Sequence, residues 1–212
     1  MKKIMFSDKF CLTQAVLSGT KTMTRRLLKV PKTCNGKEVY SFNILSNNAG
    51  TQCVDLVDEN GGVLGSWKPH YEVGEIVAIA QSYHTLNKSG YVAPEWCEHT
   101  CESSTGYKNK MFVRADLMPH HIKITDVKVE RLQDISDDEI LREGIIKEGY
   151  AGGCMYFYNR TYIRKGCRYV EPIYNTTPMR AFASLIYKVC GGETWESNPW
   201  VVAYSFELIK SK

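Results

Sequence analysis

Apolar and polar positions along the chain predict several strands and a few short helices. An apolar stripe over 8–18, followed by Gly19, indicates a short helix with a glycine at its C-terminal end. A longer stripe begins at Thr177-Pro178 and ends before Gly191, which predicts a second helix. The predicted strands cover 74–82, 111–115, 122–132 and 200–209. Regular strand–helix alternation is missing, so a small mixed β-barrel or curved sheet is favoured over a doubly wound α/β fold.

The third predicted strand contains a break in its alternation. Its apolar side chains change parity between Ile124 and Val127. Because successive strand residues face opposite sides of a sheet, a bulge or sharp bend is expected at Thr125-Asp126.

A helix-start signal follows that strand. Ser136 and Glu139 have the spacing of a capping box, and Ile135 and Ile140 stand where a hydrophobic staple would. Gly144 ends the helix after barely two turns.

Three stretches interrupt these elements and are interpreted as insertions in one domain spanning 1–212. Residues 34–66 are rich in Asn and Gly and predict a hairpin or insertion. Residues 84–112 are largely polar and loop-like, and residues 149–172 carry many Tyr, Arg and Gly.

Charge is distributed unevenly along the 212 residues. The whole chain has 27 Lys+Arg, 23 Asp+Glu and a formal charge of +4, too little to indicate a nucleic-acid binder. Residues 1–37, however, hold nine cations and one acid, a local +8, so the other 175 residues sum to −4. The local excess favours an anionic partner for the N-terminal part of the chain.

Segments that would direct the chain to a membrane or out of the cell are not evident. No run approaches 18 apolar residues, so no membrane partner is expected, and the apolar stretch after Met1 breaks too early for a signal peptide. Eight scattered cysteines favour reduced thiols and a cytoplasmic location.

Cys97 and Cys101 could supply zinc ligands, with Cys34 or Cys53 completing a set, but a second paired knuckle is missing and surface-loop thiols are favoured. The common Walker A, dinucleotide, serine-hydrolase and zincin motifs are absent, and no cofactor is expected.

The segment 19–26 has the highest concentration of candidate ligand-binding side chains in the chain. It places Lys21, Arg25 and Arg26 among three threonines, and such cations and hydroxyls recognise phosphate. The alternative is a solvated edge strand, in which Thr is favoured and Lys or Arg guards against aggregation. Lys21 and Thr24 have opposite parity, so they can share a site only if the chain bends between them.

Glu143 lies in the last turn of the capped helix, where a carboxylate opposes the helix dipole. This misfit is a second, weaker indication of a site, and the alternative is an exposed, tolerated glutamate.

Four blocks, in order along the chain, resemble the signatures of ASCH-domain proteins, in a subgroup frequent in phages and prophages. They are AVLSGTKTMTRR at 15–26, YEVGEIVAI at 71–79, the stretch 118–144 containing ITDVKVERLQDIS, and WESNPWVVAYSF at 195–206. Together they cover under half of the chain, and the three insertions remain unmatched.

The resemblance implies an α+β, PUA-like small mixed β-barrel with short flanking helices and a basic cleft that binds RNA or a modified nucleotide. In it, Thr22, Arg25, Arg26 and Gln81 would bind the ligand, with the arginines on phosphate or ribose and Gln81 on a base edge. Some relatives hydrolyse N4-acetylcytidine, which implies an alternative function as an amidohydrolase. Carried over by motif position, Thr24 would be the nucleophile, Lys21 its base or charge stabiliser, and Glu143 a proton shuttle. A zinc-stapled interaction module built on Cys97 and Cys101 is the third hypothesis.

Overall fold

The computed structural model describes residues 1–46, 52–90 and 102–209. The strands are β1 (Lys2–Ile4), β2 (Met23–Leu27), β3 (Thr33–Cys34), β4 (Lys37–Glu38), β5 (Ser41–Ser46), β6 (Gln52–Val57), β7 (Val63–Trp67), β8 (Ile76–Ile79), β9 (His121–Arg131), β10 (Ile146–Tyr150), β11 (Gly153–Arg164), β12 (Cys167–Asn175) and β13 (Trp200–Ile209). The α-helices are α1 (Leu12–Leu17), α2 (Tyr83–Lys88), α3 (Asp137–Arg142), α4 (Pro178–Cys190) and α5 (Gly192–Glu196). Short 3-10 helices lie at Asp8–Phe10, Lys110–Phe112, Ala115–Leu117 and Leu132–Asp134. The protein is therefore a strand-rich α+β structure with short helices, in agreement with the expected class.

A five-stranded mixed sheet in the order β1-β8-β9-β13-β2 carries the main core. β1 runs parallel to β8, and the other neighbours are antiparallel. The pairings among the described strands leave β1 and β2 as open edges, so they do not close the expected barrel. β1 has only three residues, and a side chain rather than a strand pairing bridges the edges, because Arg26 Nη2 donates to the Met5 carbonyl.

The break predicted in the third strand is confirmed as a bulge in β9. Opposite β13, Ser205 pairs with Asp126 while Phe206 pairs with Ile124, so Thr125 has no partner residue. The extra residue keeps Ile124 and Val129 buried on either side of the change in parity.

The capping box is confirmed at the start of α3. The Ser136 hydroxyl accepts from the Glu139 amide, and the Glu139 carboxylate accepts from the Ser136 amide. Ile135 and Ile140 are both buried in the main core, and Gly144 follows the helix with φ +99°. These local signals place Glu143, the C-terminal cap residue, at a defined position.

Two of the three predicted insertions form sheets of their own. Within 34–66, β3 and β4 form a two-stranded ribbon, and β5-β6-β7 form an antiparallel sheet that ends at Trp67. Residues 149–172 lie within the antiparallel β10-β11-β12 sheet. Its last two strands are joined at Lys165 and Gly166, both with positive φ, as in a type I′ hairpin turn.

The described part of the region 84–112 is not loop throughout, because α2 lies at its beginning. The strand predicted at 111–115 is wrong. The Asn109 side chain accepts from the Met111 amide and starts a 3-10 turn, and the Arg114 amide donates to the Tyr83 hydroxyl. Val113 then packs into a second, smaller core instead of pairing with a strand.

None of the helices in the described ranges has the length and apolar character needed to cross a bilayer.

Candidate functional site

The centre of the site is a buried ion pair between Lys21 and Glu143. Lys21 Nζ lies 2.5 Å from Glu143 Oε2 and 2.7 Å from the Glu143 main-chain oxygen. The Lys21 and Glu143 side chains are only 2% and 6% exposed. Burial lowers the pKa of Lys21, and the charge and hydrogen bond of Glu143 oppose that shift. The structure therefore joins two of the three residues expected to be catalytic.

The same contacts explain the glutamate that opposes the α3 dipole. Lys21 Nζ reaches both the side chain and the main-chain carbonyl of the C-cap residue, so a cation compensates the negative helix end. Gly144 follows with positive φ, and a Cβ there would lie 3.4 Å from Lys21 Cβ. A glycine at this position thus lets the chain leave the helix while the Lys21 stem packs against it.

Arg25 lies beside this pair and is surrounded by carboxylates. Its Nη1 donates to Glu143 Oε1 at 3.1 Å, its Nε and Nη2 to Glu130 Oε1 at 2.9 and 2.5 Å, and Nη2 also to Glu139 Oε2 at 2.9 Å. The side chain is 2% exposed. Lys128 Nζ, 2.5 Å from Glu130 Oε2, completes a cluster of three cations and three carboxylates. Arg25 is thus held by protein carboxylates, in contrast to the phosphate or ribose contact expected for it.

Thr22 and Thr24 occupy different surroundings. The Thr22 amide donates to the Arg142 carbonyl at 2.9 Å, and its hydroxyl accepts from Arg142 Nε at 3.3 Å, so it joins β2 to the end of α3. Thr24 is 5% exposed and pairs with Tyr204 across β2 and β13. Because strand residues alternate, Thr24 shares a face with Arg26 and the opposite face carries Arg25.

Lys21 precedes β2 rather than lying in it. The parity that opposed a shared site of Lys21 and Thr24 therefore does not apply, since alternation holds only within a strand.

A cavity of about 600 Å³ opens on the Thr24 face, although Thr24 is not among the described residues that line it. Residues of β2 and β13 (Arg26, Val202 and Tyr204) line it, together with the segment 67–71 that follows the first insertion. Its lining includes the cations Arg25, Arg26, Lys29 and Lys68, the aromatics Trp67, Tyr71 and Tyr204, and His70. No acidic residue is found among the described residues that line it. The cations of the basic N-terminal region therefore border a concave surface that also carries aromatic rings.

The cavity side chains are fixed by contacts of their own. Trp67 Nε1 donates to the Lys29 carbonyl at 3.0 Å, and the Tyr71 hydroxyl donates to the Lys3 carbonyl at 2.8 Å. The Tyr71 and Tyr204 rings meet edge to face with centroids 5.2 Å apart. Burial raises the pKa of Tyr71 to about 12 and also raises that of Tyr204, so both rings stay neutral near neutral pH.

Gln81 is not brought into contact with the ion pair or the cavity lining. It follows β8, and its amide donates to Met118 Sδ at 3.3 Å, next to the second core. Its side-chain Oε1 is buried with no hydrogen-bond partner among the described residues.

Sequence reasoning missed Glu130, Trp67 and Tyr71 as parts of the site. Glu130 and Tyr71 lie in blocks that resemble the family, but nothing in their local pattern distinguishes a site residue from a sheet residue. Trp67 ends an unmatched insertion, so a pattern shared with relatives could not find it. Glu139 was recognised only as a cap, although its carboxylate accepts from both the Ser136 amide and Arg25.

Metal binding finds no support in the described part of the chain, where no group of three or more His, Cys, Asp or Glu side chains could hold an ion. The proposed zinc ligands Cys97 and Cys101 lie outside the described residues. Cys34 and Cys53, the suggested completing ligands, are free thiols.

Comparisons of the chain with protein-family models, with curated proteins and with solved structures find no match.

Proposed function

We propose that the protein binds a nucleotide, free or as part of an RNA strand, in the cavity on the Thr24 face. One observation carries the proposal: a concave site of nucleotide size combines neutral aromatic rings with Arg26, Lys29 and Lys68, and no acid is described in its lining. Aromatic rings stack on nucleobases, and cations attract phosphate. The strand-rich α+β structure, the resemblance of four sequence blocks to ASCH-domain proteins and the basic N-terminal region support this function.

The roles within the cavity follow from exposure. Arg26 is exposed, whereas Arg25 is enclosed by carboxylates, so Arg26 is the better phosphate ligand of the two. Trp67 is half-buried and held by the Lys29 carbonyl, so its ring is a pre-ordered stacking surface. The free thiols of the described cysteines fit a cytoplasmic location, which we include in the proposal.

Isothermal titration with the four ribonucleoside monophosphates at low salt tests this function. Trp67→Ala should weaken binding by at least about fivefold, since one base–aromatic stack contributes roughly 1–3 kcal/mol. Arg26→Ala should weaken binding and reduce its salt dependence, while Arg180→Ala, which changes an exposed arginine on α4 away from the cavity, should not. Absence of nucleotide binding, or equal affinity for all three variants and the wild type, would contradict the proposal.

A second candidate function is hydrolysis of an N4-acylated cytidine. The Lys21–Glu143 pair supports it, because burial lowers the pKa of Lys21 and so favours the neutral amine that a base requires. In this proposal Lys21 removes the Thr24 hydroxyl proton, Thr24 Oγ1 attacks the acyl carbon, and the proton reaches the leaving amine through Glu143. Water then hydrolyses the acyl ester of Thr24.

Incubation of the purified protein with N4-acetylcytidine, followed by chromatography of released cytidine, decides between the two functions. Lys21→Ala and Thr24→Ala should abolish release, and Thr24→Ser should retain part of it. Nucleotide binding without release supports binding alone, and release that survives Thr24→Ala would remove Thr24 from the mechanism.

A further inference from the structure

The sheet formed by the third insertion has a surface that the cavity proposal does not use. β11, β12 and the turn between them carry four cations and one acid over 153–175, a net charge of +3. Ile163 is 79% exposed, Val170 57% and Tyr169 44%. A two-residue turn with positive φ at both positions joins the strands, so this arm is a defined hairpin rather than a loose loop.

One face of the hairpin carries cations and aromatic rings, with one acid, Glu171, opposite Arg160. Tyr162 pairs with Tyr169 across the strands, and their rings are stacked with centroids 5.4 Å apart and planes within 18°. Arg160 and Arg164 stand two residues before and after Tyr162, so strand alternation places them on the same face. We call the surface of Arg160, Tyr162, Arg164 and Tyr169 the ribbon face.

The opposite side of the hairpin also carries positive charge. A concavity of about 480 Å³ there is lined by Thr161, Ile163 and Arg168, which alternate with Tyr162 and Tyr169, and by Lys9. The acid in that lining, Asp8, is already engaged, because its Oδ1 lies 3.0 Å from Lys110 Nζ and accepts from the Thr13 hydroxyl. Arg160 Nε is buried beneath the surface and has no hydrogen-bond partner among the described residues.

We propose that the ribbon face binds single-stranded nucleic acid, as a second surface beyond the nucleotide cavity. Stacked tyrosines offer planar surfaces to unpaired bases, and cations at alternate strand positions follow a phosphate backbone. Charge complementarity selects a polyanion, and the planar rings select one with bases over an acidic peptide. Stacking and backbone charge suit RNA and DNA alike, so both sources are tested.

The experiment is fluorescence anisotropy of labelled single-stranded RNA and DNA of about 12 nucleotides. The Tyr162→Ala/Tyr169→Ala variant should bind at least about fivefold more weakly than the wild type, and Tyr162→Phe/Tyr169→Phe should bind as the wild type does. Tyr150→Ala is the matched control, because Tyr150 is an exposed tyrosine of the same sheet, on β10. Arg164→Gln should lower the slope of log affinity against log salt by about 0.7.

Mononucleotide titration of the same variants separates this proposal from the cavity proposal. The ribbon variants should bind mononucleotide as the wild type does, which also shows that they are folded. Equal oligonucleotide affinity for the double alanine variant and the wild type overturns the ribbon proposal, as does a self-association through the ribbon with no oligonucleotide binding. Oligonucleotide binding that depends on the tyrosines, in a protein with no mononucleotide affinity, supports the ribbon and refutes the cavity.

Discussion

Replacement of Glu143 by Gln tests whether the Lys21 pair is charged in the folded protein. The change keeps the shape of the side chain and removes the carboxylate that lies 2.5 Å from Lys21 Nζ and 3.1 Å from Arg25 Nη1. Removal of one partner of a buried pair leaves an uncompensated charge, and such losses cost about 3–5 kcal/mol. Since Lys21 keeps the Glu143 main-chain oxygen and Arg25 keeps two other carboxylates, we expect the lower end, about 3 kcal/mol.

The assay is urea unfolding, with thermal unfolding as a second measurement. A loss of about 3 kcal/mol corresponds to a fall in Tm of roughly 6–12 °C for a chain of this length. Glu196→Gln is the control, because Glu196 is an exposed glutamate on α5. In the double variant Lys21→Met/Glu143→Gln, the loss should be smaller than the sum of the two single losses, because the unpaired charge is removed with its partner.

The pH dependence of the stability of the Glu143→Gln variant is a second, independent test of the charged pair. The pKa of Lys21 is lowered by burial from an ordinary value of 10.5, and loss of Glu143 lowers it further. Between the folded value and 10.5 the unfolded chain binds the extra proton, so the free energy of unfolding rises with pH in that window. The deficit of the variant should therefore shrink as pH rises. A deficit under about 1 kcal/mol, or one that is equal at all pH values, would refute the charged pair.

Three further predictions concern α3. Ser136→Ala should lower the free energy of unfolding by about 1 kcal/mol in urea, because the Glu139 amide loses its cap; an unchanged midpoint would contradict this. Burial alone would raise the pKa of Glu139, but the Ser136 amide and the Arg25 charge outweigh it and lower that pKa below 4.5. Its stabilisation is thus present above pH 4.5 and lost as pH falls through the lowered pKa, and Glu139→Gln should flatten that decline in urea titrations at several pH values. Gly144→Ala should cost about 1–3 kcal/mol by thermal unfolding, because φ is +99°, a backbone conformation that L side chains rarely adopt; a neutral effect would exclude strain there.

The local signals of the sequence were sufficient where a few neighbouring residues decide the outcome. The Ser136–Glu139 capping box, the parity break at Thr125 and the Thr177-Pro178 helix start depend on chain segments of a few residues, and each is present in the structure. The strand prediction at 111–115 failed because Val113 packs into the second core while Met111 and Phe112 are exposed, and an apolar run alone does not show whether it pairs with a strand.

The site was predictable only in part, because its main contacts join residues far apart in the chain. Lys21 and Glu143 were named together through the resemblance, not through their spacing. The contact of Arg25 with Glu130 joins residues 105 positions apart, and no local pattern reports that an arginine in a cationic segment is neutralised by the protein itself. The sequence alone did not show that Arg25 is enclosed by carboxylates while the adjacent Arg26 is exposed.

The bulge in β9 also has a consequence for how this chain tolerates changes of length. Thr125 separates two alternations in β9. The core residues before it are at even positions and those after it are at odd positions, yet both sets pack into the same core. Deletion of Thr125 would remove the extra residue and leave Ile124, Val127 and Val129 in one unbroken alternation, so all three would stay on the core face. Both a substitution at this exposed threonine and its deletion should therefore be mild, whereas insertion of another residue beside it would force half of the strand to turn over and move either Ile124 or Val129 to solvent.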